Sequence, residues 1–437
     1  MTDVAGTAPD QVAGQKGGRS IGDLIRATEI DLRLFGMVLA LALILIGFGV
    51  ATGGQFLEPV NLLTLSVQAA SVAIIATGMV MVIVSRNIDL SVGSLVGVIG
   101  MTYAVLMADV FPKTIGVNHP IGWIIALAIG VGLGAFIGGF QGFIIAYIGV
   151  PSFVVTLGGL LGFRGVVWVL SGGTTVAPDD ATFVLIGGGP AGSLGGTVSW
   201  IFGIVICIAV VYLLWNARRQ RHKFGFPVRP MWAEVLLGTV GCLFVLGAVW
   251  VANSYLWPAG LASQFAKARG ITEPPGGLQI QAGIPWPLVI VIGVAIAMTF
   301  LATRRKFGRN VFAYGGNPDA AELAGINTRW TIMKTFILMG ILCAISAAIA
   351  SARLNGGTLD LGQGYELYVI AAAVIGGTSF AGGIGTIPGA ILGALVMQSL
   401  AYGLSFMGFN SPIQNIVVSI VLVVAVGLDS YNKRRGS

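Results

Sequence analysis

Charge is what this chain has least of. Only 9% of its 437 residues are charged, against 56% hydrophobic, whereas a soluble domain carries roughly a quarter charged residues. A soluble fold of this length is thereby excluded. Cysteine is equally sparse: Cys207, Cys242 and Cys343 lie inside apolar stretches at unrelated spacings, with no disulfide framework or metal site among them. The two histidines, His119 and His222, fall in loops, and no paired carboxylates, metal-ligand cluster or nucleophile constellation occurs within the apolar runs. No G-x-x-x-x-G-K-[ST] phosphate loop is present, so the chain is not expected to hydrolyse ATP, to be an enzyme or to bind a cofactor or metal. The net charge of +7 fits basic cytoplasmic loops and calls for no nucleic acid.

What the chain has is length of apolar sequence. A membrane-spanning helix needs about 20 mostly apolar residues, since each rises about 1.5 Å through a layer about 30 Å thick. Runs of that kind cover 34–51, 61–85, 91–110, 121–150, 153–170, 198–215, 232–252, 286–302, 331–354, 365–380, 389–407 and 412–428, the tenth being short. They are continuous, where a lipid-facing β-barrel would alternate polar and apolar residues. The expected fold is an all-α membrane protein, a polytopic helical bundle of about 10–12 transmembrane helices. A polar, basic tail over 1–33 is expected to be disordered and cytoplasmic, and 429–437 to form a second basic tail. The first apolar run has no small-residue cleavage site after it and reads as a retained helix. With both termini in the cytoplasm, nineteen of the 24 Lys and Arg residues fall on the cytoplasmic side, as the positive-inside rule requires.

Glycine supplies 66 residues, about twice the usual share. Gly130, Gly134, Gly138 and Gly142 recur every four residues and make one smooth helix face, which lets a neighbouring helix approach closely. Elsewhere the helical pattern is broken: Arg86, Asn87, Ile88, Asp89, Leu90 and Ser91 interrupt one apolar run, and Gly376-Gly377-Thr378-Ser379 with the glycines up to Gly385 interrupt another. Irregular backbone at membrane depth persists only where protein or a water-filled cavity satisfies it, so such breaks mark a transport pathway. Pro151 and Ser152 make a tight hairpin, with Ser152 placed to cap the helix that follows.

The cytoplasmic loop 304–330 carries a helix signature of its own. Asn317 is an N-cap residue, Pro318 suits the first position, Asp319 favours the positive end of the dipole and Gly325 can close the helix in left-handed geometry. A short helix over 318–324 follows. Too short to stand alone, it must dock on this chain or on another protein.

Candidate pathway residues are Asn87, Asp89, Ser91, Gln141, Arg164 and Glu366. Arg164 sits near the middle of a span, where charge is costly. It either lines a cavity, holds irregular backbone through carbonyl contacts, or snorkels to the surface. Asp89 either caps the next helix or meets solute, and Glu366, at a helix start, either faces the cavity mouth or simply complements the dipole.

The runs Gly308-Arg309-Asn310, Tyr314-Gly315-Gly316-Asn317, Glu322 and Ala324-Gly325-Ile326-Asn327 resemble the coupling loop of permease subunits from ribose- and xylose-type ABC sugar importers. The block Asn87-Ile88-Asp89-Leu90-Ser91-Val92-Gly93-Ser94 resembles the same family. So do Gly364-Tyr365-Glu366, Gly376-Gly377-Thr378-Ser379 and Ala381-Gly382-Gly383. The resemblance implies the transmembrane subunit of an ATP-driven monosaccharide importer in a bacterial inner membrane. It also implies a homodimer, a separate cytoplasmic ATPase subunit that binds the ATP, and a periplasmic sugar-binding protein. It casts Asn317, Pro318, Asp319, Glu322, Ala324, Gly325 and Asn327 as the ATPase-coupling residues. The chain exceeds the ribose-type length by an added helix pair at about 217–303, as in the longer xylose-type permeases, which points to a pentose. An ion-coupled secondary transporter of a small polar solute is the alternative. It usually places several Asp, Glu or His inside the membrane, and these are scarce here.

Overall fold

The computed structural model describes residues 32–177, 180–272 and 274–436. The expected tail at 1–33 lies outside the described residues apart from its last two positions.

Every one of the twelve apolar runs coincides with a helix. These are α1 (Leu32–Ala51), α2 (Pro59–Val84), α3 (Val92–Val105), α4 (Gly122–Phe143), α5 (Ser152–Ser171), α6 (Gly196–Lys223) and α7 (Met231–Ser254), then a short amphipathic α8 (Ala259–Ala268) and α9 (Trp286–Arg304). After them come α10 (Lys306–Gly316), α11 (Pro318–Leu323), α12 (Thr328–Leu354), α13 (Tyr365–Ile375), α14 (Ile387–Phe406) and α15 (Ser411–Gly436). Wide turns extend α3 to Thr114 and α4 to Ile148, so that ten helices among the described residues are long and apolar enough to cross a membrane. The bundle is a polytopic helical membrane protein. Two of the twelve fall outside those ten: the apolar part of α15 runs only over Ser411–Val421, and α13, with 11 residues, reaches only about 16 Å, because Gly376 and Gly377 end it before 380.

Helix α2 is the hub, with α12, α14, α13 and α9 packed around it. Inside its span 94% of residues are buried, against 11% in α1, α5 and α6, so α2 meets protein on every side while the other three turn most of their surface outward. Helices α6 and α7 pack mainly on each other, whereas α9 packs along α2. Cys207 and Cys242 face each other across that hairpin as free thiols, half-buried, and only Cys343 is fully enclosed.

The glycine stripe of α4 meets α12. A Cβ on Gly134 would run into the Gly340 carbonyl, one on Gly138 into the Phe336 carbonyl and one on Gly142 into Met333. Gly340 is itself closed by the Gly134 carbonyl. The two backbones touch because neither side carries a Cβ at the crossing. One turn on, Gly130 receives the Tyr103 ring, whose hydroxyl donates to the Ala344 carbonyl at 3.1 Å.

Candidate coupling loop and transport pathway

The loop helix forms where its signature places it. Asn317 is extended (φ −149°), and its side chain accepts from the Ala320 N–H at 3.1 Å, while Pro318 opens α11. The helix ends at Leu323, one residue before the expected Ala324. Gly325 then turns left-handed at φ +76°, and the Ile326 N–H returns to the Ala321 carbonyl at 3.1 Å. Asn327 caps α12 by accepting from the Trp330 N–H at 2.9 Å. Ala321 alone among the helix residues is buried, seated toward α10, whereas Asp319, Glu322, Ala324 and Gly325 are exposed and Leu323 is 91% exposed. Water around an isolated leucine side chain is unfavourable by about 1.5–3 kcal/mol relative to burial. The helix thus offers one apolar knob ringed by carboxylates.

Arg86, which opens the break between two apolar runs and is absent from the candidate site residues, has a role of its own. In the structure it occupies the left-handed region (φ +59°) and its guanidinium donates through Nε to the Gly315 carbonyl at 2.8 Å and through Nη2 to the Gly316 carbonyl at 3.0 Å. Beside it the Gly383 N–H donates to the Val84 carbonyl at 3.0 Å, and a Cβ on Gly315 would overlap that same carbonyl. The end of α2, the end of α10 and the glycine turn after α13 therefore meet at one point, the root of the α11 loop. Burial pushes the Tyr314 phenol above its ordinary value, with Arg86 opposing and Glu322 reinforcing the shift, so it stays a neutral member of this joint. The signal in the sequence was Gly315 together with Gly382-Gly383, positions where a Cβ would meet neighbouring backbone, whereas Gly316 has open space beside it.

The predicted pathway residues divide into separate groups. Asn87 folds back on its own turn, donating to the Ser85 carbonyl at 2.8 Å. Asp89, 1% exposed, accepts from both the N–H (2.9 Å) and the hydroxyl (2.7 Å) of Ser91. Gln141 reaches the Ser91 hydroxyl from α4, its Nε2 donating at 3.0 Å. Ser91 and Gln141 are 0% and 3% exposed, so this trio ties the broken segment to α4 inside the core. Ser152 does not cap its own helix. Its hydroxyl accepts instead from the Ile88 N–H at 3.2 Å, because residues 85–91 are non-helical and leave that donor open. Arg164 donates Nη1 to the carbonyls of Leu359 (3.2 Å) and Leu361 (3.1 Å), holding the irregular stretch before α13. Glu366, half-buried, lies against Gly93 with Oε2 enclosed and unpartnered.

Two comparisons with known proteins bear on this architecture. Residues 61–426 match the model of the branched-chain amino acid transport system permease component. That match runs from the first turn of α2 into α15. The chain belongs to this permease family. Its similarity to the xylose transport system permease protein XylH of Escherichia coli strain K12 is 37% identity over 407 residues, covering 93% of this chain and 94% of that protein. With XylH of Haemophilus influenzae it shares 36% over 414 residues, 94% and 100% of the two chains. The galactose/methyl galactoside import permease protein MglC of E. coli strain K12 is 26% identical over 410 residues, 92% and 95% of the two chains. No solved structure matches the chain.

Proposed function

We propose that this permease is the transmembrane subunit of an ATP-driven importer of monosaccharides, with a pentose of the xylose type as its substrate. Two copies form the pathway in a bacterial inner membrane, both termini lie in the cytoplasm, and a periplasmic binding protein delivers the sugar. ATP is bound and hydrolysed on a separate cytoplasmic subunit, and this chain carries no cofactor. The observation that supports the reading most is the near-complete, 37% identity to a xylose permease.

In this mechanism the ATPase pair grips α11 through Leu323, flanked by Asp319 and Glu322. Closure of the pair shifts α11, and the Arg86 clasp on Gly315 and Gly316 hands that displacement to the end of α2. Since α2 touches α9, α12, α13 and α14, moving its end reorients the bundle around the pathway. A neutral sugar needs no fixed charge along the way, only weak polar contacts.

Leu323→Ser tests the docking step. Leu323 contributes little to the fold at 91% exposure, so the melting temperature in detergent should stay unchanged. Co-purification of the ATPase with the permease should weaken by about tenfold or more, the equivalent of about 1.5 kcal/mol or more of lost apolar contact. Full ATPase retention by this variant and by Glu322→Ala would show that α11 is not the docking element.

A further inference from the structure

Far from the coupling loop the same helices enclose a second polar feature. Gln68 of α2 lies sixteen residues, about 24 Å, before the end that meets the loop, and Arg353 of α12 lies 25 residues, about 38 Å, beyond Thr328. Together with Tyr365 and Tyr368 of α13 and Gln398 and Tyr402 of α14 they line a cavity of about 190 Å³. It opens at the end of the bundle opposite the ATPase face.

We infer that this cavity is a monosaccharide site, where the sugar rests after delivery and before passage. The inference rests on the importer reading above and names a site for it. Its volume equals about six water molecules at about 30 Å³ each, enough to seat one sugar ring. Its chemistry is that of a polyol site. Three phenolic rings offer flat faces for the C–H side of a pyranose and hydroxyls for its edge, the Tyr402 hydroxyl also donating to Asn61 Oδ1 at 3.3 Å. Three amides, of Gln68, Gln398 and Gln414, provide donors and acceptors, matching hydroxyls that are both; that of Gln414 already donates to the Phe409 carbonyl at 2.7 Å. Gln398 is 7% exposed and Gln68 half-buried, and both line the cavity with their amides open to a ligand's hydroxyls. Arg353 makes no ion pair there, the one salt bridge among the described residues being Arg218 with Glu234.

The lining contains no carboxylate. An amino acid would leave its ammonium group unpaired, at a cost a neutral sugar avoids. The site therefore separates polyols from zwitterions within a family whose common description is amino acid transport.

The experiment uses the full permease in nanodiscs, with Cys207, Cys242 and Cys343 replaced by alanine and Ser405→Cys introduced at the exposed rim of the cavity. The rate of labelling by a small water-soluble maleimide is measured with D-xylose, with L-leucine and with neither. D-xylose at about ten times its dissociation constant should slow labelling about tenfold by mass action, and L-leucine should leave it unchanged. Gln398→Leu in the same background should abolish the protection while Ser405→Cys remains as reactive as before. Absence of protection by D-xylose, protection by L-leucine equal to it, or full protection in the Gln398→Leu variant would each overturn the assignment. ATP-driven uptake by the unsubstituted transporter is measured in parallel. Its absence alongside intact D-xylose protection would refute the importer reading and leave the site standing.

Discussion

Replacing Arg86 should uncouple this transporter without unfolding it. Its guanidinium makes two hydrogen bonds, to the Gly315 carbonyl at 2.8 Å and to the Gly316 carbonyl at 3.0 Å. A hydrogen bond from a charged group nets about 1.5–3 kcal/mol when sheltered. Arg86 is exposed and its Gly316 contact lies at the surface, where solvent reduces such contributions to about 0–1 kcal/mol. Together the two are worth about 2 kcal/mol, a factor of about thirty in the balance between clasped and released loop. Arg86→Ala should therefore lower the sugar transported per ATP hydrolysed by up to about thirtyfold, in proteoliposomes holding permease, ATPase and loaded binding protein. Arg86→Lys keeps the charge but has no planar fork to span two carbonyls, and should fall between. Arg86→Gly relaxes the left-handed backbone and still lacks the clasp, so it should uncouple as fully as alanine. The melting temperature should change little, since no core contact is lost. Transport per ATP within twofold of the unsubstituted protein in all three variants would refute the idea that Arg86 carries motion from the loop to α2.

Other consequences are simpler. Gly340→Ala forces a methyl group against the Gly134 carbonyl and should destabilise the bundle by about 1–3 kcal/mol, read as a lower melting temperature; Gly132→Ala, with open space around it, should be silent. Gln141→Leu removes the partner of the Ser91 hydroxyl in a fully enclosed position and should cost about 1–3 kcal/mol, whereas Gln141→Glu adds a buried charge near Asp89 and should cost more. Asn317→Ala deletes the cap of α11, worth about 1 kcal/mol. Because α11 touches the rest of the chain so lightly, that loss should appear as faster amide exchange in 319–323 and weaker ATPase retention, with global melting unchanged.

The sequence made the helices legible because lipid leaves so few choices. Twelve apolar runs became twelve helices, and even the shortness of α13 was visible in the glycines that end it. The capped loop helix was legible for a local reason, since Asn317, Pro318 and Gly325 act within a few residues of themselves. What distance hid was the joint at Arg86, whose partners lie 229 and 230 residues away. The hydroxyl of Ser152 was assigned to its own helix because capping is the local use for it, but the open backbone at Ile88 claimed it. The stretch 217–303, expected to hold an added pair, contains the end of α6, α7, α8 and most of α9. In space it is α6 and α7 that stand off as a hairpin, while α9 lies along the hub. Asp89, Ser91 and Gln141 could be singled out from the sequence as pathway candidates, but that they satisfy one another could not be read there. The tyrosine and glutamine cavity was not legible as a cavity, since its residues come from five separate helices.

The central claim is that another protein's ATP hydrolysis drives this chain, and one uptake measurement tests it most directly. Proteoliposomes containing the permease, its ATPase and sugar-loaded binding protein should accumulate labelled D-xylose only when ATP is supplied, and should continue to do so with proton and sodium gradients collapsed by ionophores. Uptake that follows an ion gradient without ATP, and ceases when the ionophores are added, would contradict the account and make the chain a secondary transporter.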